Sequence, residues 1–140
     1  SNTDHLCVAF PAGHPLAGEP LDFARLKGER FIAVSEGDGP ALYNEVMKAC
    51  RARGYSPNVC YKFDRAEAVM LAVGAGLGIS IIPEAISKVF YSENVVFRRI
   101  EGEDALRTYV VAWRRELLNP AARLFLETVR EVLSGGAAQH

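Results

Sequence analysis

Residues 64–83, DRAEAVMLAVGAGLGISIIP, are the stretch that decides the fold of this 140-residue chain. Asp64 and Glu67 have the spacing of a capping box, in which a short acceptor and a carboxylate satisfy the free amides of a first helical turn. This pattern predicts a helix that starts near Arg65. Small and aliphatic side chains occupy nearly all of the following positions, so we expect the helix to be covered on most of its faces.

The second half of the same stretch predicts a tight turn into a strand. Gly76 can adopt the left-handed backbone geometry that ends a helix, and Gly78 allows a sharp turn directly after it. Residues 79–82 then form an apolar run of strand length, which Pro83 ends. Helix, turn and buried strand therefore follow one another within twenty residues.

Apolar runs separated by turn residues predict further strands and helices on either side of this stretch. We expect strands at residues 6–10, 31–34, 59–63, 95–99 and 107–113, and helices at 23–27, 40–53, 84–89 and from Asn119 to Gly135. Strands that alternate with helices are typical of an α/β fold with a mostly parallel sheet and helices on both faces.

Composition narrows the class of protein. A formal net charge of -1 and a pI near 6.3 give no basic excess for neutralising phosphates, so we do not expect this chain by itself to bind DNA. No apolar run approaches the roughly 20 residues of a membrane helix. Three cysteines without a C-x-x-C spacing, each in an apolar run, predict buried reduced thiols and a cytoplasmic location. Ser1 and Asn2 resemble the remnant of a cleaved purification tag, and residues 137–140 predict a frayed tail.

The sequence predicts neither catalysis nor a cofactor or metal. The three histidines, His5, His14 and His140, are not arranged to suggest a catalytic triad. Asp64 and Glu67 could be read as an acid pair, but the capping role accounts for both carboxylates. We therefore predict no catalytic residue, no cofactor and no metal ligand.

A small-molecule site is suggested by the loop after the second strand. Ser35, Glu36, Gly37, Asp38 and Gly39 join a predicted strand to a helix that begins at Pro40. Free amides at a helix start favour anions, and glycines let a ligand approach the backbone. A plain strand-to-helix connection remains the alternative. In parallel sheets ligands lie at the carboxyl ends of strands, which points to the loops at residues 35–39, 64–66 and 83–85.

The order of motifs resembles the C-terminal effector-binding domain of LysR-type transcriptional regulators. The segments that carry the resemblance span nearly the whole chain and include LCVAFPAGHPLA, LDFARLKGERFIAVSEG, EAVMLAVGAGLGISIIPEAI, TYVVAWRR and NPAARLFLETVREVL. The resemblance implies a fold like that of type 2 periplasmic binding proteins, in which two subdomains close on an effector. Residues 3–136 would belong to this domain, with about 11–106 in the second subdomain, 107–136 returning to the first, and hinge crossings at 7–10 and 110–113.

The same resemblance implies a function and a set of site residues. It implies effector sensing and homo-oligomer formation, with DNA bound only through an N-terminal domain that this chain lacks, and no membrane contact. A small carboxylate or an amino-acid-like compound is the implied effector. The implied site residues are Ser35, Glu36, Gly37, Asp38, Asp64, Arg65, Ile82 and Pro83. A solute-binding protein of a transporter, and an enzyme of related α/β shape, remain the alternatives.

Overall fold

A computed structural model describes residues 5–18, 20–34, 40–116 and 131 of the chain. Four predicted features lie outside the described residues: the tag remnant at Ser1 and Asn2, the loop at residues 35–39, the helix from Asn119 to Gly135, and the tail at 137–140.

Five strands and four α-helices follow one another in the described residues. Their bounds are β1 (Leu6–Pro11), β2 (Arg30–Val34), α1 (Pro40–Ala52), β3 (Asn58–Phe63), α2 (Ala66–Gly74), β4 (Ser80–Pro83), α3 (Glu84–Ser87), β5 (Val95–Arg99) and α4 (Glu103–Glu116). Two 3₁₀ turns, Pro15–Gly18 and Phe23–Leu26, lie between β1 and β2. The α/β class and most predicted elements are confirmed, including the start of α1 at Pro40.

Four strands run in one direction and β1 runs in the other. β1 pairs antiparallel with β4 and with β5, whereas β2 and β3 pair in parallel. A parallel bridge between Phe31 of β2 and Ile79, directly before β4, joins the two sheets. The strands therefore lie in the order β3, β2, β4, β1, β5.

The prediction of a mostly parallel sheet does not extend to β1. A parallel crossover carries the chain from the carboxyl end of one strand to the amino end of the next, usually through a helix. The described residues between β1 and β2, which are 12–18 and 20–29, contain two short 3₁₀ turns and no α-helix, and β2 starts at the edge of the sheet where β1 ends. β1 therefore has the reverse direction.

Helices cover both faces of the sheet, as predicted. Alternate residues of β1 point to opposite faces, so Leu6, Val8 and Phe10 join one core cluster while Cys7 and Ala9 join the other. α1 and α4 pack over the first cluster, and α2 and α3 pack over the second. Because β1 is buried on both faces, it is central to both clusters.

The predicted strand at residues 107–113 is wrong, because this segment belongs to α4. Its β-branched and aromatic residues favour a strand. Ala105, Tyr109 and Ala112, however, recur at helical spacing and are all buried. An ion pair from Arg115 to Glu45 connects α4 to α1, and one from Asp104 reaches Arg53, directly after α1. Packing against α1 therefore overrides the local strand preference.

The predicted capping box at Asp64 and Glu67 is also wrong. The residue at the N-cap of α2 is Arg65, which has an extended backbone (φ -133°, ψ 141°) and makes no side-chain capping hydrogen bond. The helix begins one residue later than the box requires, so Glu67 occupies the second helical position rather than the third. α2 is also less covered than expected, since Leu71 is 77% exposed.

The Gly-x-Gly turn is confirmed, and its two glycines serve different purposes. Gly76 has φ +83°, the left-handed geometry that follows a helix end. Gly78 instead allows a close approach, because a Cβ atom there would lie 2.6 Å from the carbonyl oxygen of Arg30. Ile79 follows directly and exchanges backbone hydrogen bonds with Arg30 and Ile32 at 2.8 and 2.7 Å.

The prediction that all three cysteines are buried is wrong for one of them. Cys7 and Cys50 are buried, but Cys60 is exposed, because it lies on β3 at the edge of the sheet. Burial raises the pKa of the Cys7 thiol strongly, with the nearby Glu84 carboxylate adding to the effect. Burial likewise raises the pKa of Cys50. Both buried groups are therefore held as neutral thiols.

None of the helices in the described ranges has the length and apolar character needed to cross a membrane.

Replacing Gly78 with valine should destabilise the fold by about 2–3 kcal/mol, because the new side chain collides with the Arg30 backbone. Urea denaturation followed by circular dichroism measures the change. Gly18→Ala is the matched control: nothing lies within 4 Å of its Cβ position, and we expect a change below about 0.5 kcal/mol. Equal stability of the Gly78→Val variant and the wild type would refute the close approach.

One cysteine of the three should react with a thiol reagent in the folded protein, because thiolates are the reactive form and only Cys60 is exposed. We expect Cys60→Ser to abolish this reaction, and Cys7 and Cys50 to react only after unfolding in denaturant. Rapid labelling of two or three thiols under native conditions would contradict the burial of Cys7 or Cys50.

Candidate functional site

The carboxyl ends of four strands meet at one edge of the sheet, which we call the carboxyl edge. It is formed by the last residues of β2, β3, β4 and β5, which are Val34, Phe63, Pro83 and Arg99. Val34 and Phe63 are register partners. The amino end of β1 lies at the same edge, because Leu6 is the register partner of Pro83.

The predicted site segments all follow strands that end at this edge. Asp64 and Arg65 come directly after β3 and are both exposed. Pro83 is half-buried, ends β4 and occupies the N-cap position of α3. Ser35, Glu36, Gly37 and Asp38 lie outside the described residues, although the strand that precedes them, β2, is the neighbour of both β3 and β4.

Ile82 occupies a different environment from its neighbours in the predicted site. It is 1% exposed and packs in the second core cluster with Val69 and Val73 of α2. It therefore lies beneath the carboxyl edge and supports α2 from below. Among the predicted site residues that the structure describes, Asp64 and Arg65 are the exposed ones.

A polar cluster at the carboxyl edge was missed by the sequence reasoning. Arg99, the last residue of β5, makes a bidentate contact with Glu84, the first residue after β4. Arg99 Nε donates to Glu84 Oε2 at 3.0 Å, and Arg99 Nη2 donates to Glu84 Oε1 at 3.1 Å. His5, directly before β1, has its Nδ1 atom 3.9 Å from Glu84 Oε2. The Glu84 contact raises the pKa of the Arg99 guanidinium. Three segments that are distant in the sequence thus each contribute one charged or titratable side chain to this cluster.

A second feature near the same edge pairs a cation with an aromatic ring. The ammonium of Lys62, next to the end of β3, lies 4.9 Å from the ring centroid of Tyr43 in the first turns of α1. Beside Tyr43, a cavity of about 30 Å³ lies between β2, α1 and Ile81. It has room for a single water molecule rather than for an effector. Lys62 and Tyr43 therefore lie near the carboxyl edge, but the cavity beside Tyr43 is too small to hold an effector.

A larger groove, of about 460 Å³, lies between α2, β5 and the loop that precedes β5, and its lining starts at Glu67, two residues after Arg65. Its lining is mainly apolar and includes Met70, Leu71, Phe90, Tyr91 and Phe97. Tyr91 is 90% exposed. The volume is sufficient for a small molecule, but few polar groups converge in the groove to orient one, so its shape alone does not make it the effector site.

The potential metal ligands and His14 have defined surroundings in the described part of the chain. In residues 5–18, 20–34, 40–116 and 131, no group of three His, Cys, Asp or Glu side chains is placed to hold a metal ion. His14 contacts Glu29 at 2.5 Å and accepts a hydrogen bond from the amide of Leu16, so both of its ring nitrogens are occupied in local structure.

Comparison with known proteins shows a consistent set of relatives. Residues 3–134 match the family described as the LysR substrate binding domain. A RuBisCO operon transcriptional regulator of Allochromatium vinosum is 36% identical over 138 residues, which cover 96% of this chain and 44% of that protein. The Hca operon transcriptional activator HcaR of Escherichia coli K12 is 33% identical over 135 residues, covering 95% and 45%. The chain thus spans less than half the length of these relatives.

A solved structure agrees on the fold. The effector binding domain of BenM, determined with its effector benzoate, superposes with a TM-score of 0.63 at 23% identity, covering 72% of this chain and 46% of that domain. The likeness is to domains of transcriptional regulators, and it favours a regulator over the solute-binding protein and the enzyme that the sequence had left open. On its match over residues 3–134, this chain belongs to the LysR substrate binding domain family.

Proposed function

We propose that this chain is the effector-sensing domain of a cytoplasmic, DNA-binding transcriptional regulator, and that its effector binds at the carboxyl edge. The observation that carries the proposal is the convergence of four strand ends at one edge, in a chain that belongs to the family. Ligands of open α/β sheets bind outside the carboxyl ends of the strands.

The proposed site combines backbone amides, hydroxyls and charges that follow three adjacent strands. Asp64 and Arg65 supply one charge of each sign after β3, and the Arg65 side chain, at the N-cap of α2, makes no capping hydrogen bond. The loop after β2 supplies a hydroxyl and two carboxylates. The residues proposed to contact the effector or to support its site are Ser35, Glu36, Gly37, Asp38, Asp64, Arg65, Ile82 and Pro83.

Charges of both signs at this edge favour a small effector that carries an acidic group, a basic group or both. A hydroxyl and free amides suit a carboxylate, while the acidic residues suit an amine. We therefore propose a small carboxylate or an amino-acid-like compound. Benzoate, the effector in the BenM structure, is a carboxylate and is a sensible first member of a screen.

Oligomer formation and DNA binding complete the proposed function. DNA would be bound by a separate domain of the longer protein, since this chain has a formal net charge of -1. The exposed Leu71 and Tyr91, on the groove between α2 and β5, supply an apolar surface for a second copy. The groove lining shares no residue with the proposed effector site, so effector and partner could be bound together.

The full-length protein should show a change in DNA protection when its effector is added. Nuclease footprinting on its own promoter region, with a broad panel of carboxylates and amino acids, measures the response. We expect one chemical class to alter the protected region, because binding energy at the cleft shifts the population of domain conformations. No response to any member of a broad panel would contradict effector sensing.

Ser35→Ala should weaken binding of the compound identified in this way by about fivefold, the equivalent of about 1 kcal/mol for one hydrogen bond. Isothermal titration calorimetry measures the affinity. Ser92→Ala, in the exposed loop before β5, is the control and should leave the affinity unchanged. Unaltered affinity in the Ser35→Ala variant would place Ser35 outside the site.

A further inference from the structure

His5 contains a buried nitrogen whose environment is unexplained by folding alone. Its Nδ1 atom is enclosed and, among the residues that the structure describes, has no hydrogen-bond partner; Glu84 Oε2, at 3.9 Å, is beyond hydrogen-bonding distance. A buried polar atom without a hydrogen-bond partner is energetically costly, so such atoms are rare in folded proteins and often mark functional positions. The His5 side chain as a whole is 29% exposed, so the rest of its ring is accessible to solvent.

Glu84 holds this arrangement in place. Its side chain is only 14% exposed, and both of its oxygens accept hydrogen bonds from Arg99. Its backbone amide donates to the carbonyl oxygen of His5 at 2.8 Å, which fixes the distance between the two residues. Because Arg99 balances the charge of Glu84, protonation of His5 would give the cluster a net positive charge.

The wider surroundings of His5 contain charges of both signs. Lys88, directly after α3, acts electrostatically on the Cys7 thiol, which also interacts with Glu84 and Arg99, and Glu101, after β5, acts on Arg99. Lys88 and Glu101 carry opposite charges and the Cys7 thiol is neutral, while Glu84, 3.9 Å from the imidazole, is itself paired with Arg99. His5 is therefore a titratable group at the carboxyl edge, and the Glu84 carboxylate lies on the buried side of its ring.

We propose that the imidazolium form of His5 binds a carboxylate group of the effector. The carboxylate accepts a hydrogen bond from Nε2–H on the accessible side of the ring. The Nδ1–H then turns toward Glu84 Oε2 and closes the 3.9 Å gap, which gives the buried nitrogen its missing partner. Binding at a pH where His5 is neutral takes up one proton from solvent. This inference rests on the proposed function in one respect, which is that the effector binds at the carboxyl edge.

His14 provides a matched internal control. It also pairs with a glutamate, Glu29, but it follows β1 and so lies at the opposite edge of the sheet. Its Nδ1 atom already accepts the amide hydrogen of Leu16. The two histidines therefore have similar partners, and only His5 has an unsatisfied nitrogen at the carboxyl edge.

Sodium acetate, the probe for a bare carboxylate, should bind near His5 in a pH-dependent way. In a nuclear magnetic resonance titration of the 140-residue chain, we expect saturable shifts of the Glu84 and Ile100 amides. Acetate affinity should fall about tenfold between about pH 6 and about pH 8, since histidine loses its charge over this range. Sodium chloride at equal ionic strength is the control for screening by salt.

Two variants decide the role of His5. His5→Gln should reduce the pH-dependent change to less than about twofold, whereas His14→Gln should retain the tenfold change. If His5→Gln does not fold, the wild-type ring resonances give the same information, because acetate should move only the His5 signal. Absence of saturable acetate shifts, pH-independent binding, or an unchanged pH dependence in His5→Gln would each overturn the proposal. Acetate binding reports on this subsite alone, so its failure is distinct from a failed promoter response.

Discussion

Gly78 passes so close to the backbone of Arg30 that no side chain fits between them, and the two halves of the sheet meet at this point. Ile79 then exchanges two backbone hydrogen bonds with β2, and the buried Ser80 hydroxyl donates to the carbonyl oxygen of Ile32 at 2.6 Å. Without this junction the pair β2–β3 would have no connection in register with β4, β1 and β5. The alignment of strand ends at the carboxyl edge depends on it.

Much of the fold could be predicted from the sequence because its signals are local. The turn at Gly76 and Gly78, the strand end at Pro83 and the helix start at Pro40 depend on backbone preferences of single residues, and the structure confirms all of them. The direction of β1 depends instead on the path of residues 12–29, which no local pattern records. In α4, β-branched residues such as Val110 favour a strand, and contact with α1 decides otherwise.

The candidate site was predictable only in part, for the same reason. Asp64, Arg65 and Pro83 follow directly after strands, so their place at the carboxyl edge could be inferred from strand order. The cluster of His5, Glu84 and Arg99 has no signature in the sequence, because three distant segments contribute one residue each and are brought together by the pairing of β1 with β4 and β5. Ser35 and its loop remain a prediction.

Effector sensing and partner binding use different surfaces in this account: the carboxyl edge for the effector, and the apolar groove between α2 and β5 for a second copy. Hydrogen–deuterium exchange, measured with and without the effector found by screening, tests this separation most directly. We expect slower exchange after the ends of β2, β3 and β4, in peptides covering residues 34–41, 63–66 and 83–88, and little change in the groove peptides 70–75 and 90–97. Slower exchange confined to residues 70–75 and 90–97 would contradict it.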